Sequence, residues 1–196
     1  MASRWTNAAT ILPPTVEVCG YRLLPFCLRH RVALEAISSP VLLTDLPMTP
    51  EHLIAAARIL STHDVASVRR PASLRDRYYI NRLSFSRSAM TAELVKLHAY
   101  IVEQSLWPRF WAKEESAGSN GIPWTLAVVS SLIRNGCTLT EAWTMPEAEA
   151  IWLHVSHCKA DGGNVSIVSD EEWEAMARFK QAEADASRTT RPSAKN

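Results

Sequence analysis

The clearest apolar pattern in the chain lies in residues 121–158 and predicts two helices. From Trp124 to Ile133 there is no charged residue, and only three residues carry a hydroxyl group. A helix that is apolar on nearly every side is usually buried in the middle of a domain. The second run places apolar residues at helical spacing along one face, namely Ala148, Ile151, Trp152, Val155 and Cys158. The pattern therefore predicts that this stretch is the structural centre of the protein.

Capping boxes mark three of the predicted helix starts. In such a box, a Ser or Thr and a Glu three residues later satisfy free amide groups of the first helical turn. Residues 138–141 fit this pattern, and residues 144–147 fit it again, with Pro146 in the first turn. These two boxes predict a sharp bend between two helices. A third box at 169–172 predicts a charged helix over 170–186.

The N-terminal part of the chain predicts one hairpin and then two helices. Apolar residues of the stretch 15–24 flank Cys19-Gly20, which predicts two short strands joined by a tight turn. Pro25 then starts a helix that the Ser-Ser-Pro sequence at 38–40 stops. Thr49 is followed by a proline and an acid, which is typical of a helix start. The expected buried side of that helix consists of Leu53, Ile54, Ala57 and Leu60.

Two further amphipathic helices are predicted in the middle of the chain. The first begins near Pro71 and has Leu74, Tyr78 and Leu83 as its apolar residues. The second covers residues 90–107, where leucine and isoleucine recur at helical spacing. We expect both helices to turn these residues toward the core.

These elements predict a mainly α fold, a helical single domain with a small N-terminal β-hairpin. Residues 165–168 are the candidate for one further short strand. We assign residues 1–14 to a flexible N-terminal arm, 15–186 to the helical domain and 187–196 to a disordered basic tail. With 196 residues, of which 47% are hydrophobic, the chain can build a core without disulfides or a structural metal.

Charge and cysteine usage disfavour several classes of function. Lys and Arg number 21 against 20 Asp and Glu, so no global field draws the protein to nucleic acid or a membrane. No leader sequence and no apolar run of about 18 residues is present. The four cysteines match neither a zinc ribbon nor a CxxC redox pair. Reduced thiols in a cytosolic protein are therefore the simplest interpretation.

Motifs for catalysis are missing from the sequence. It contains no HExxH, no GxSxG, no phosphate-binding GxxxxGK[ST] and no GxGxxG. His154, His157 and Cys158 lie on one predicted helix, and His154 and Cys158 are one turn apart, as two metal ligands can be. A packed or surface histidine is the favoured interpretation, because no motif supplies further ligands. We predict no catalysis, no metal and no cofactor.

Five aromatic residues are the candidates for partner binding. Trp107, Phe110 and Trp111 cluster at the end of a predicted helix, and Trp143 and Trp152 lie in the central stretch. Aromatic side chains are enriched in binding hot spots. Clusters of this kind more often close a core, which is the favoured interpretation for the first three.

A basic segment over residues 64–87 offers an alternative function. Its arginines are Arg69, Arg70, Arg75, Arg77, Arg82 and Arg87. Arginines interleaved with aromatic residues are typical of a nucleic-acid surface. A solvated helix face, whose arginine stems cover apolar surface, is favoured because the total charge is nearly neutral.

Two stretches of the chain share a pattern with a known group of proteins. In YRLLPFCLRHRVALEAISSP the matching residues are Pro25, Phe26, Leu28 and His30. In GIPWTLAVVSSLIRNGCTLTEAWTMPEAEAIWLHVSHCKADGG they are Glu141, Ala142, Trp143, Met145, Pro146, Ala150 and Trp152. Together these stretches, about half of the chain, resemble tail assembly chaperones and related small tail-module proteins of tailed phages and prophages.

The resemblance implies a helical, non-catalytic protein that keeps the tape-measure protein soluble while the tail tube polymerises. It also implies the cytoplasm of a bacterial host, and a tape-measure or other tail protein as the partner. We expect apolar grooves between helices to hold a helical segment of that partner, and self-association into a homo-oligomer is compatible with this. The alternative is a small nucleic-acid-binding or packaging-associated phage protein that uses the arginines of 69–87.

Overall fold

A computed structural model of the chain describes residues 4–10, 16–43, 46–110, 121–163, 165 and 167–189. The helices in this part are α1 Arg4–Ala9, α2 Leu28–Ala36, α3 Pro50–Leu60, α4 Leu74–Phe85, α5 Arg87–Gln104, α6 Trp124–Arg134, α7 Leu139–Thr144, α8 Glu147–Ala160 and α9 Asp170–Thr189, with the 3-10 helix η1 Val65–Arg69 after α3. The strands are β1 Glu17–Val18, β2 Tyr21–Arg22, β3 Arg109–Phe110 and β4 Ile167–Val168. The predicted mainly α fold is confirmed. None of the described helices is both long enough and apolar enough to cross a bilayer.

The N-terminal hairpin has the predicted turn. Strands β1 and β2 pair antiparallel, with Val18 opposite Tyr21. Between them Cys19 and Gly20 have φ angles of 50° and 74°. Two consecutive positive φ angles suit the turn that matches the twist of a two-residue hairpin. A Cβ on Gly20 would overlap the guanidinium group of Arg75, so a larger residue there would also have to displace that side chain.

A large aliphatic core, called core 1, lies between the hairpin and helices α2 to α5. Its fully buried members include Leu53 and Leu60 of α3, as the spacing of that helix predicts. Thr49 caps α3: its hydroxyl accepts a hydrogen bond from the His52 amide at 3.3 Å. Tyr100 of α5 is also fully buried, and its hydroxyl donates to the Leu24 carbonyl at 2.7 Å.

A smaller core, called core 2, joins α2 to helices α6, α7 and α8. Its buried residues are Leu28, Val128, Val129, Leu132, Ala142 and Ala150. Helix α2 contributes to both cores, because Leu34 packs in core 1 whereas Leu28 packs in core 2. The two cores are therefore joined through one nine-residue helix.

Helix α6 differs from the prediction that it is buried on nearly every side. Trp124, Leu126 and Ile133 are 43%, 45% and 41% exposed. Core 2 contains few residues, and it covers only the side of α6 that carries Val128, Val129 and Leu132. Helix α6 therefore lies at the surface with one buried face, although residues 124–133 carry no charge.

The second capping box is also wrong. The Thr144 hydroxyl donates to the Thr140 carbonyl at 2.8 Å, and α8 begins after Pro146 without a side-chain cap. Pro146 instead bridges to Cys27, and the Glu147 amide donates to the Phe26 carbonyl at 2.7 Å. The predicted bend exists, but these contacts to the start of α2 fix it. The first box is confirmed at Thr138, and the third at Ser169.

Helix α4 buries a different face from the predicted one. Leu74 and Tyr78 are 84% and 61% exposed, whereas Leu83 is buried as expected. The buried side also contains Asp76, which is hydrogen-bonded by the Tyr21 hydroxyl at 2.6 Å. The sequence pattern predicted apolar side chains on the buried side of α4. One of the buried side chains is instead a carboxylate, and its hydrogen bonds make the burial possible.

The ends of the chain contain more structure than expected. Helix α1 lies within the stretch 1–14, where we expected a flexible arm, and buries Ala8. Strand β4 fits the strand candidate at 165–168, and it pairs antiparallel with β3, which the pattern did not predict. Helix α9 continues beyond residue 186 to Thr189, and residues 190–196 of the expected tail lie outside the described residues.

Candidate functional site

An open groove lies on the surface between α2, η1 and α7. Its volume is about 570 Å³. It is lined by Arg29, Val32, Ala33, Ala36, Ala66, Val68, Arg69 and Trp143. Six of these eight side chains are apolar, so the groove offers a hydrophobic wall with cationic groups beside it.

Helix α2 forms one wall of the groove because of its residue spacing. Arg29, Val32, Ala33 and Ala36 recur at intervals of three and four residues and therefore share one helix face. The two alanines leave room above the helix, and Val32 is 39% exposed. The other faces of α2 pack into the two cores, so the position of this wall is fixed.

The 3-10 helix η1 forms the opposite wall and is held by Asp64. The Asp64 carboxylate accepts a hydrogen bond from the Ala66 amide at 2.9 Å and thereby caps η1. It also pairs with Arg70 at 2.5 Å. Val68 packs against core 1 from the same turn. This wall is therefore fixed by local polar contacts as well as by packing.

Trp143 of α7 closes the groove at one end. The indole is half-buried and packs against core 2. Thr138, which accepts the Glu141 amide at 3.2 Å, fixes the start of this six-residue helix. Trp143 is the predicted partner-binding residue that the structure places in the groove.

The electrostatics of the groove favour a partner with negative charge. Arg29 donates from Nη1 to the His63 carbonyl at 3.2 Å and remains partly exposed. Arg69 at the edge of η1 is exposed to solvent. No acidic side chain occurs among the described residues that line the groove. An apolar segment flanked by carboxylates is therefore complementary to this surface.

Trp107 has an intramolecular role. With Phe26 and Trp124 it surrounds the guanidinium group of Arg31, whose Cζ lies 5.0 Å from the Trp107 ring centroid and 5.2 Å from that of Trp124. Arg31 also pairs with Glu147, including an Nη2–Oε2 contact of 2.9 Å. This cluster links α2, α6 and α8.

Burial dominates the electrostatics of Glu147. Its side chain is only 1% exposed. Burial raises the pKa of the Glu147 carboxyl above its ordinary value, and the hydrogen bonds and charge of Arg31 offset only part of this increase. The pair therefore connects helices at an appreciable desolvation cost.

The remaining aromatic candidates do not form a single surface. Trp152 donates from its indole nitrogen to the Leu106 carbonyl at 3.0 Å, and its ring lies 5.8 Å from that of Trp5. Phe110 belongs to β3 through its backbone, and its side chain lies outside the described part of the chain. Trp111 lies outside it entirely.

The predicted metal-ligand candidates on α8 come together only as a pair. The Cys158 sulfur lies 3.7 Å from His154 Nε2. Burial lowers the pKa of His154, and His157 adds to this effect. Within the part of the chain that the structure describes, no third ligand residue joins them.

The basic segment is partly occupied by internal contacts. Arg75 lies over the Tyr21 ring at 4.5 Å, Arg82 over Tyr79 at 6.0 Å, and Arg70 pairs with Asp64. Arginines engaged in this way are less available to phosphates. This observation favours the interpretation of a solvated helix face that covers aromatic surface.

Sequence reasoning missed the groove, although a signal for it exists. The spacing Arg29-x-x-Val32-Ala33-x-x-Ala36 places four groove residues on one face of α2, and of these only Ala33 belongs to a core. Comparison of the chain with protein-family models, curated proteins and solved structures finds no significant match.

Proposed function

We propose that the protein is a non-catalytic binding protein that holds an amphipathic helical segment of a partner in the groove between α2, η1 and α7. The observation that carries this proposal is an open groove with a mostly apolar lining and one arginine each from α2 and η1. A helix laid into such a groove buries its apolar stripe and leaves its polar face in water.

The chemistry of the groove specifies the partner segment. It needs apolar side chains at intervals of three and four residues to contact Val32, Val68 and Trp143. It also needs Glu or Asp beside that stripe to face Arg29 and Arg69. Charged groups at the edge of an interface mainly contribute orientation and association rate, so the apolar contacts provide most of the affinity.

We further propose that the partner is a phage tail protein, with the tape-measure protein as the first candidate, and that binding takes place in the cytoplasm of a bacterial host. Support comes from the sequence resemblance to tail assembly chaperones. Both matched stretches contribute to the groove, because the first contains α2 and the second contains Trp143. A long helical protein that must remain unassembled fits the specification of the segment.

Co-expression tests this proposal. The tape-measure protein encoded in the same gene neighbourhood is expressed with and without this protein, and its soluble fraction is compared. We expect it to be soluble only when the two are co-expressed. Equal solubility in the absence of this protein would contradict the chaperone role.

Matched variants test the groove itself. Val32→Asp places a charge on the apolar wall and should weaken the complex about tenfold or more. Val95→Asp is the control, because Val95 is 62% exposed on α5 and outside the groove. Arg69→Glu should weaken binding more than Arg77→Glu on the exposed side of α4. Equal effects of each pair would show that the partner binds elsewhere.

A further inference from the structure

Three potential metal ligands meet beside the groove, where α2 begins and α3 has ended. Cys27 is the N-cap residue of α2, His30 lies in its first turn, and His63 follows α3. The Cys27 sulfur and one nitrogen from each imidazole lie within 4.8 Å of one another. Cys27 and His30 are buried, and His63 is half-buried.

The hydrogen bonds of His30 leave one ring nitrogen available as a ligand. Its Nε2 lies 3.1 Å from the Thr62 carbonyl, which can only accept, so Nε2 carries the proton. Its Nδ1 then has a lone pair for a metal, because this atom is buried and accepts no hydrogen bond from the described residues. A backbone carbonyl bound to the second nitrogen is the usual companion of a metal-ligating histidine.

His63 has a second orphaned nitrogen. Its Nε2 is buried and has no hydrogen-bond partner among the described residues. Its ring centroid lies 5.2 Å from that of His30. Buried polar atoms are rarely left unpaired, and coordination of an ion is one of the recognised reasons when a protein partner is missing. The two imidazoles that meet the Cys27 thiol thus each have an unpaired nitrogen, which points to a shared ligand.

We propose that Cys27, His30 and His63 bind one Zn²⁺ ion, with the fourth coordination position open to water or to a donor from a partner. A thiolate with two neutral imidazoles is a ligand set that zinc prefers. On binding, the Cys27 S–H bond breaks, its electron pair goes to the metal and the proton is released to solvent.

The geometry needs only a small contraction. Zinc bonds of about 2.0–2.1 Å to nitrogen and about 2.3 Å to sulfur place tetrahedral ligand atoms roughly 3.3–3.8 Å apart. The observed separations of up to 4.8 Å close to this range with shifts of about 1 Å in side chains. No fourth His, Cys, Asp or Glu of the described chain joins the group, which leaves the open position.

The bound ion would tie the start of α2 to the segment after α3. Arg29 lies between two of the ligands in sequence and donates to the carbonyl of the third, His63. Because Arg29 also lines the groove, the metal would hold one edge of that groove in place. The metal site does not depend on the identity of the partner, and its test is independent of partner binding.

Cobalt titration of the reduced, chelator-treated full chain tests the proposal. Co²⁺ bound in place of zinc should produce the visible absorption of a tetrahedral site and a thiolate-to-metal charge-transfer band, saturating at one ion per chain. Added Zn²⁺ should abolish both bands by displacement. Absence of a tetrahedral spectrum in the wild-type protein would overturn the proposal.

Matched variants locate the ion. Cys27→Ser should lose the charge-transfer band, and His63→Gln should weaken Co²⁺ binding at least tenfold. His63→Gln decides the question if the buried Cys27→Ser variant fails to fold, since His63 is half-buried. The control is His154→Ala with Cys158→Ser, which should leave both bands unchanged. Bands that vanish in this control but survive in His63→Gln would assign the ion to α8 and refute the site proposed here.

Discussion

Core 1 and core 2 bury charged groups in contrasting ways. Beside core 1, the Asp76 carboxylate accepts hydrogen bonds from the Tyr21 hydroxyl and from the Ser73 amide at 2.8 Å, with Arg58 3.6 Å away. Beside core 2, Glu147 relies on one cation, Arg31, which is enclosed by aromatic rings. Both carboxylates are about 1% exposed, but Glu147 lies deeper below the surface than Asp76, so depth and surroundings both contribute to the difference.

The pKa shifts of the two carboxyl groups have opposite signs. Burial raises the pKa of Asp76, but the hydrogen bonds from Tyr21 and Ser73 and the charge of Arg58 outweigh it and lower the pKa overall. For Glu147 burial prevails and the pKa is raised. At Asp76 several donors thus outweigh a moderate desolvation, whereas at Glu147 one guanidinium group does not offset a larger one.

The two regions can also be observed separately. All seven tryptophans lie outside residues 16–106, whereas α2 to α5 and the hairpin occupy that range almost completely. Tryptophan fluorescence therefore reports on the region around core 2 through Trp107, Trp124, Trp143 and Trp152. Far-UV circular dichroism reports on the helices of both regions, so the two signals distinguish joint from separate unfolding.

The largest effect is expected for Glu147→Ala. It removes the oxygens that accept hydrogen bonds from Arg31 in a largely buried site and should reduce the free energy of unfolding by about 3–5 kcal/mol. Urea denaturation measures this loss. The double variant Arg31→Met with Glu147→Leu removes both charges and should be close to wild type, within about 1 kcal/mol or more stable. A double variant as unstable as Glu147→Ala would show that the ion pair itself stabilises the fold.

Leucine truncation tests whether the two cores unfold together. Leu60→Ala in core 1 and Leu132→Ala in core 2 each remove a fully buried side chain. Each should lower the free energy of unfolding by about 2–5 kcal/mol. Because α2 packs in both cores, we expect fluorescence and circular dichroism to give coincident urea transitions in both variants. A Leu60→Ala protein whose fluorescence transition stays at the wild-type midpoint would show that core 2 unfolds independently.

Asp76→Asn should produce a pH-dependent loss of about 2 kcal/mol, because it removes the charge that three groups stabilise. The folded-state pKa of Asp76 lies below its ordinary 3.8, so its contribution is fully present above that value and is lost as pH falls through the lowered pKa. The difference in free energy of unfolding between wild type and Asp76→Asn should therefore be constant at neutral pH and shrink below about pH 4. A difference that grows on acidification would mean that the sign of the shift is wrong.

Glu147 provides the matching pH prediction with the opposite slope. Its folded-state pKa is raised above the ordinary 4.5, so the stability it contributes is fully present below that value and declines as pH rises through the raised pKa. Wild type should therefore lose stability relative to Glu147→Gln as pH rises above about 4.5. Thermal melts of both proteins from acidic to neutral pH measure this trend.

The smallest effect compares two threonines with the same sequence signature. Thr138 caps α7 and Thr138→Ala should cost about 1 kcal/mol. Thr144 caps no helix, and Thr144→Ala should cost no more than about 0.5 kcal/mol, because its hydroxyl only returns to the Thr140 carbonyl. Equal losses would indicate that Thr144 contributes to the start of α8 after all.

Local signals were predictable from the sequence, and tertiary assignments were not. The turn at Cys19-Gly20 and the cap at Thr49 depend on neighbouring residues alone, and both are confirmed. The box at 144–147 failed because Glu147 pairs with Arg31, which is 116 residues away. The buried face of α4 failed for the same reason, since Tyr21 determines the burial of Asp76.

The candidate sites show the same limit. The groove combines residues of α2, η1 and α7, and the metal ligands combine Cys27-x-x-His30 with a histidine that follows another helix. A pattern search along one segment finds at most four of the eight groove residues and two of the three metal ligands. The tryptophans were visible as candidates, but only folding shows that Trp143 lines a groove while Trp107 packs on a buried guanidinium group.

Helix α1 has a consequence for the order of events on the ribosome. The Arg4 side chain donates from Nε to the Trp107 carbonyl at 2.7 Å, and Trp5 packs on Trp152 of α8. At about 5–20 residues per second, synthesis reaches α8 on the order of ten seconds after α1 is made. The hairpin and α2 to α5 can assemble during this delay, whereas the contacts of α1 with α8 cannot yet form. Helix α1 is thus translated before the hairpin and α2 to α5 but reaches its native position after them.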